Sequence, residues 1–313
     1  MNVLLLTSAY PNMTPDLLLH GMRKLIGDAA VDFPRKHTVY EGVCGQPNSD
    51  RVPNYMPDDS KVDRDDLEAK VASGFFDFVI CDIRAFAEQI ELLRKSTCPL
   101  ALLDGEDYPR PIKPGPYLIL RSATDGTDFS VPVQYAMPQE LMDWIDSHQD
   151  EPKTHSIGFL GSRGALTPDR NGMLDDLARM FPDSLITAWE VGQNPSSSRD
   201  LYYKDMQSCK ILLNLPGAGV NAFRYWENAT CNALNVAKRV PLLVPNDFRE
   251  GIEVQKFTTL TELAYIVEQV LSDRIDWRGY SERSRDWVRK YHTTEKRAED
   301  VVGKIKLAFG LPA

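Results

Sequence analysis

Short apolar runs recur along the chain, each followed by a polar loop and a stretch with hydrophobic residues at helical spacing. Residues 2–7 form the first run, with a helical pattern at 15–26 behind it. Residues 76–81 and 99–103 repeat the theme, with a helical segment at 85–95 between them. Continuous apolar runs suit parallel strands, because crossover helices cover both faces of the sheet. From 43 to 66 the rhythm stops in a stretch rich in Pro, Asn, Asp and Ser, which reads as a long surface excursion. Its acids (Asp58, Asp59, Asp63, Asp65, Asp66) read as a solvated face, with a charged helix starting near Asp65.

Residues 146–154 turn polar, and a second series begins directly after them. It predicts strands at 155–160, 185–189, 210–215 and 240–244, and helices at 170–179, 198–208, 222–237 and 260–271. The restart divides the chain into a first domain over 1–150, a second over 151–290 and a helical tail over 291–313. Either domain is long enough to bury a core unaided. The expected fold class is α/β: two Rossmann-like domains in tandem facing a cleft.

The net charge of −9 excludes non-specific attraction to nucleic acid or an anionic membrane, though not a local basic pocket. No apolar run approaches a membrane span, and the N-terminus lacks the basic flank and cleavage site of a signal peptide. Cys44, Cys81, Cys98, Cys209 and Cys231 have neither zinc-ligand nor redox spacing. A cytoplasmic protein with reduced thiols is expected.

The chemistry concentrates in 210–233, KILLNLPGAGVNAFRYWENATCNA. A buried strand ending in Asn214 runs into Gly217, Gly219 and Asn221, and a helix is expected from Ala222. Glycines let the backbone approach a ligand, and a helix N-terminus favours an anion. Arg224 and Glu227, three apart, would share one helical face: a cation for a diphosphate and a carboxylate for ribose hydroxyls. The turn Gly161-Ser162-Arg163-Gly164 after a strand offers N–H groups, a hydroxyl and a cation, with Arg170 as a second cation nearby. In the first half, Asp104-Gly105-Glu106-Asp107 follows a strand directly, where carboxylates meet ligands in open sheets. Asp104 or Asp107 would serve as general base for an acceptor hydroxyl. The same acids also fit an Asp-x-Asp-like metal site. His20, on the first helix, is a further acceptor-side candidate.

The segment RYWENATCNALNVAKRVPLLVPNDFREGIE, then FTTLTELAYIVEQVL and the YHTTEKRAEDVV tail, resembles the C-terminal donor domain of group-1-type glycosyltransferases. The likeness is closest to spore-maturation-protein-like members and covers roughly 204–310, about a third of the chain. The resemblance implies a GT-B fold whose last helix crosses back to the first domain. It also implies transfer of a sugar from a UDP- or GDP-type donor to a glycan or other hydroxyl-bearing acceptor, with no metal and no other cofactor. Glu227 matches the glutamate that family members use for the donor ribose. Many retaining members carry a second glutamate eight positions earlier, where this chain has Gly219. Two other readings stand beside it: a GT-B-like module that binds nucleotide or glycan without turnover, and an NAD(P)-dependent oxidoreductase using the Gly217 turn. The latter lacks an acid about 20 residues on, where Lys238 and Arg239 stand instead.

Overall fold

Each apolar run of the first half becomes a strand buried on both faces. The computed structural model describes residues 1–40, 55–107, 111–163, 168–190, 199–217 and 219–312, except the side chains of 163, 168 and 188–190. Two compact units result: one from 1–138, 242–245 and 292 onward, the other from 139–241 and 246–291.

The first unit runs β1 (Val3–Leu6), α1 (Met13–Ile26), β2 (Ala30–Phe33), α2 (His37–Tyr40), α3 (Leu67–Ala72), β3 (Phe78–Asp82), α4 (Ile90–Lys95), β4 (Leu100–Asp104), β5 (Tyr117–Arg121) and β6 (Val131–Pro132). Its sheet has the order β2-β1-β3-β4-β5-β6, with every pairing parallel. Leu4, Leu6, Val31, Val79, Cys81 and Leu102 build one core beneath α3 and α4. Asp58, Asp63, Asp65 and Asp66 are exposed, as expected of a solvated face, and Asp59 alone of the five is drawn in. Asp59 pairs with Arg35 at 2.7 Å and Arg64 at 2.8 Å, and the hydrogen bond from Arg35 leads the effects that lower its pKa. Arg64 also reaches buried Asp32, so these charges fasten the excursion to the sheet.

The second unit begins at α5 (Gln139–Asp146), ahead of the polar stretch that marks the restart in the sequence. Long-range contacts explain the shift: Gln207 Nε2 donates to the Ile145 carbonyl, and Arg289 pairs with Asp143 and Asp146. There follow β7 (His155–Arg163), α6 (Pro168–Met180), β8 (Leu185–Glu190), α7 (Arg199–Gln207), β9 (Cys209–Asn214), α8 (Arg224–Thr230), β10 (Leu234–Lys238), β11 (Gln255–Phe257), α9 (Leu260–Leu271) and α10 (Trp277–Tyr291). The order is β11-β10-β9-β7-β8, again all parallel.

Two expectations fail here. The helix expected over 222–237 ends at Thr230, and residues 234–238 form β10 instead. The run LNVAK is claimed by the sheet because it fills the position between β9 and β11. Residues 240–244 are not a strand: Pro241 and Pro245 bracket a loop whose residues 242–245 pack in the first unit. There Leu243 N donates to the Thr124 carbonyl, and Gln134 Nε2 donates to the Leu243 carbonyl.

The last helix, α11 (Thr294–Phe309), returns to the first unit and packs along α1. Thr293 caps it by accepting from Lys296 N. His20 belongs to this contact. Fully buried, it holds Thr294 Oγ1 at 2.8 Å and the Tyr55 carbonyl at 3.2 Å with its two ring nitrogens. With no ring nitrogen left for an acceptor, its expected catalytic role gives way to a structural one.

Gly21 of α1 lies so close to α11 that an added Cβ would stand 2.0 Å from the Thr294 carbonyl oxygen, whereas Gly303 of α11 has open space around it. Propensity alone favours alanine over glycine in a helix by about 1 kcal/mol at either position. Gly303→Ala is therefore expected to raise the urea midpoint slightly. Gly21→Ala should lower it by about 1–3 kcal/mol of stability, because overpacking exceeds the propensity gain.

Candidate functional site

Open parallel sheets bind ligands at the carboxyl ends of their strands, where the chain reverses its direction of travel across the sheet. In the second unit that point lies between β7 and β9, since β8 flanks β7 on one side and β9 on the other. Two arginines meet there. Arg224 Nε donates to the Leu160 carbonyl at 2.9 Å, and its guanidinium stands 4.6 Å from the centre of the Phe159 ring. Arg170, 6% exposed, donates from Nη1 to the Pro216 carbonyl at 3.0 Å, with its guanidinium 6.0 Å from the same ring. Neither has a carboxylate partner among the described residues. Burial and then the charge of Arg224 lower the pKa of Arg170, the signature of two cations brought together.

The glycines serve this arrangement differently than expected. The Gly161-Ser162-Arg163 segment is not a loop but the end of β7, paired with 188–190 of β8, and Gly164 lies outside the described residues. A Cβ on Gly161 would stand 2.2 Å from Arg224 Nη2, so this glycine makes room for the guanidinium and not for a phosphate. Ser162 is half-buried beside it. Gly217 N donates to the Gly219 carbonyl in a tight turn against Arg170. Asn214 closes β9 at 7% exposure, its Oδ1 without a hydrogen-bond partner, and Asn221 is buried on the far side of the turn. The anion-binding helix N-terminus is not built: α8 starts only at Arg224 and has seven residues, too short for a useful dipole. The charge comes from guanidinium groups instead.

Glu227 departs furthest from expectation. It is 1% exposed and accepts from Tyr203 Oη at 2.8 Å and Tyr202 Oη at 3.3 Å. One turn of helix carries Arg224 towards β7 and Glu227 beneath α7, so their side chains meet different partners. A carboxylate buried and held by two phenols ties α7 to α8, and ribose contact does not fit it.

In the first unit the expected acids separate. Asp104 is fully buried, receives Arg121 Nε at 2.9 Å and Glu106 N at 3.1 Å, and has no free face for a base. Asp107 remains exposed, and burial followed by the Glu106 carboxylate raises its pKa. The corresponding reversal here lies between β1 and β3, and it holds residues that no motif signals. Lys36 Nζ pairs with Asp16 at 2.9 Å and donates to the Tyr10 carbonyl at 2.7 Å. Asp82 accepts from Ser8 Oγ at 3.2 Å and Arg84 N at 3.0 Å. Burial pushes Asp16 up to about 6 against the opposing pull of Lys36, and it raises Asp82 as well. Their only sequence signal is position: Ser8 follows β1, Asp16 lies in the first turn of α1, Lys36 follows β2 and Asp82 ends β3. Among the described residues no group of three or more His, Cys, Asp or Glu is placed to hold a metal ion.

Residues 172–303 match the family model described as glycosyl transferase-like. No curated protein matches the chain. Among solved structures, it is similar to HepE of Anabaena in complex with UDP, at a TM-score of 0.63 and 13% identity over 98% of this chain and 100% of that one. It is also similar to a glycosyltransferase of Rickettsia africae, at 0.59 and 11% identity over 98% of each chain. The fold is GT-B, two parallel-sheet α/β units, and no helix among the described residues is long and apolar enough to cross a membrane.

The raised pKa of Asp16 has a defined sign. Between about 4 and 6 the folded chain binds a proton that the unfolded chain has released, so stability is greatest below that window and falls as pH rises through it. The change is at most about 3 kcal/mol. Asp16→Asn should flatten the slope between pH 4 and 7 in urea melts; an unchanged slope would assign it to other groups.

Proposed function

We propose that the chain is a glycosyltransferase that moves a sugar from a nucleoside diphosphate donor to an acceptor hydroxyl without a metal. The observation that carries this reading is the Arg170–Arg224 pair: two guanidinium groups at the reversal of a parallel sheet, without carboxylate partners among the described residues. Unpaired cations repel one another, and a dianionic ligand relieves that repulsion. The glycosyl transferase-like match over 172–303 contains Arg224 and begins two residues after Arg170, and HepE, of the same fold, was crystallised with UDP, which favours a uridine nucleotide.

In the reaction the bond between the sugar and the diphosphate breaks while the acceptor oxygen attacks the anomeric carbon. Negative charge grows on the departing diphosphate, so cations already in place stabilise the transition state more than the bound donor. Arg224 is fixed for this by the Leu160 carbonyl and the Phe159 face, Arg170 by the Pro216 carbonyl. Asn214 Oδ1, buried and unpartnered beside them, offers an acceptor to a donor hydroxyl. Asp107, whose raised pKa brings it nearer neutrality, takes the proton from the acceptor hydroxyl.

Calorimetric titration with UDP in EDTA tests the reading. Binding should persist without metal, and Arg224→Met or Arg170→Met should each weaken it about 10- to 100-fold, the worth of a charge-assisted hydrogen bond. UDP affinity that depends on added Mg²⁺, or that ignores both substitutions, would refute it. Gly161→Ala should weaken UDP binding in the same direction, since its Cβ displaces the Arg224 guanidinium.

A further inference from the structure

At seven residues α8 is too short to hold its own shape, because a helix of about two turns closes fewer hydrogen bonds than its ends leave open. Its entry is not capped by a side chain. Phe223 precedes it in helical backbone geometry, with φ −56° and ψ −30°, and has no oxygen to offer the first N–H groups. Tyr225 N and Trp226 N donate three residues back, to the Ala222 and Phe223 carbonyls, in a tight first turn. Yet this turn carries Arg224, whose guanidinium is aligned with the Leu160 carbonyl and the Phe159 ring. Something outside α8 holds it.

The residue beside Arg224 supplies the attachment. Tyr225 is buried, and its hydroxyl donates to Asp247 Oδ1 at 2.7 Å. The Tyr225 carbonyl accepts from Asn235 Nδ2 of β10 at 3.0 Å, and Phe248 packs edge-on to the Tyr225 ring at 5.1 Å between centroids. Asp247 is itself held from two further directions. Phe248 N donates to Oδ1 at 2.8 Å, and Lys256 Nζ of β11 donates to Oδ2 at 2.5 Å. Trp287 Nε1 of α10 anchors the loop just before it, donating to the Asn246 carbonyl at 2.8 Å. A carboxylate with three donors has a fixed orientation, and the phenol bonded to it is fixed in turn. Burial, and after it the Asp247 charge, keep the Tyr225 pKa well above the usual phenol value, so its hydroxyl stays a donor. Lys256 is the ion-pair partner of Asp247, which therefore reaches Arg224 only through Tyr225.

We propose that Asp247 is a positioning residue for Arg224, acting through the Tyr225 hydroxyl to fix the first turn of α8. The assignment rests on the glycosyltransferase reading for its consequence and on the second unit alone for its geometry. Without that hydroxyl bond the turn shifts freely, and Arg224 loses its alignment with the Leu160 carbonyl and the Phe159 ring.

Two substitutions in the full chain test this: Tyr225→Phe, which removes one oxygen and keeps the ring, and Asp247→Leu, which removes the acceptor. Without ligand, exchange of the Arg224 Nε–H with water, followed by NMR of the arginine side chains, should quicken at least about fivefold in both. The Arg121 Nε–H, bonded to buried Asp104 in the first unit, should keep its rate within about twofold. In calorimetry with UDP and EDTA, Tyr225→Phe should weaken binding about 3- to 10-fold, the contribution of one hydrogen bond. In an Arg224→Met background the same change should alter UDP affinity less than about twofold, because its effect runs through the guanidinium. Should Asp247→Leu unfold, Tyr225→Phe alone decides. Unchanged Arg224 exchange would overturn the assignment. So would equal losses of UDP affinity with and without Arg224, the pattern of a merely structural tyrosine. A parent chain that does not bind UDP would instead defeat the donor reading, with the ligand-free exchange rates still judging Asp247.

Discussion

Arg224 is held where it is by a backbone carbonyl and an aromatic face, and not by an acid. That choice of partners governs the second unit. A carboxylate beside the guanidinium would have neutralised it and left nothing to attract an anion. The Leu160 carbonyl and the Phe159 ring orient the cation while leaving its formal charge intact, and Arg170 repeats the device with the Pro216 carbonyl. Burial, and after it the neighbouring Arg224 charge, lower the pKa of Arg170. Stored repulsion of this kind is recovered when a polyanion arrives.

The two units apply one plan with opposite charge. Each sheet starts at an inner strand, β1 or β7, sets the next strand on one side and the following strand on the other. Each therefore leaves a reversal where two diverging loops part and side chains can gather. In the second unit the gathered groups are cations, and in the first they are mostly carboxylates.

Glycine and histidine positions show how close packing redirects motifs. Gly161 looks like part of a phosphate turn, but its missing side chain is occupied by the Arg224 guanidinium. His20 looks like a surface base, but α11 returns to cover it and takes one of its nitrogens through Thr294. Glu227 follows the same pattern beneath Tyr202 and Tyr203. In all three cases a partner from far along the chain decided the role.

Strands β1, β3 and β4 of the first half, α9, and the α/β class could be read directly from the residues, because hydrophobic periodicity is local and a buried parallel strand has few other ways to satisfy it, whereas β2, β5 and β6 went unread. Asn214, the Gly217 turn and Arg224 stand out in the sequence because they close and follow one apolar strand, and Arg170 stands out as a cation soon after the Gly161 segment. Tertiary structure alone decided the rest. Whether residues 234–238 continued a helix or joined a sheet depended on a vacant place between β9 and β11, which no local pattern records. Whether Asp104 was free or Asp16 shifted depended on Arg121 and on burial beneath distant segments. Local sequence specifies what a segment is able to form; the charge state and exposure of each group follow from which remote atoms fold against it.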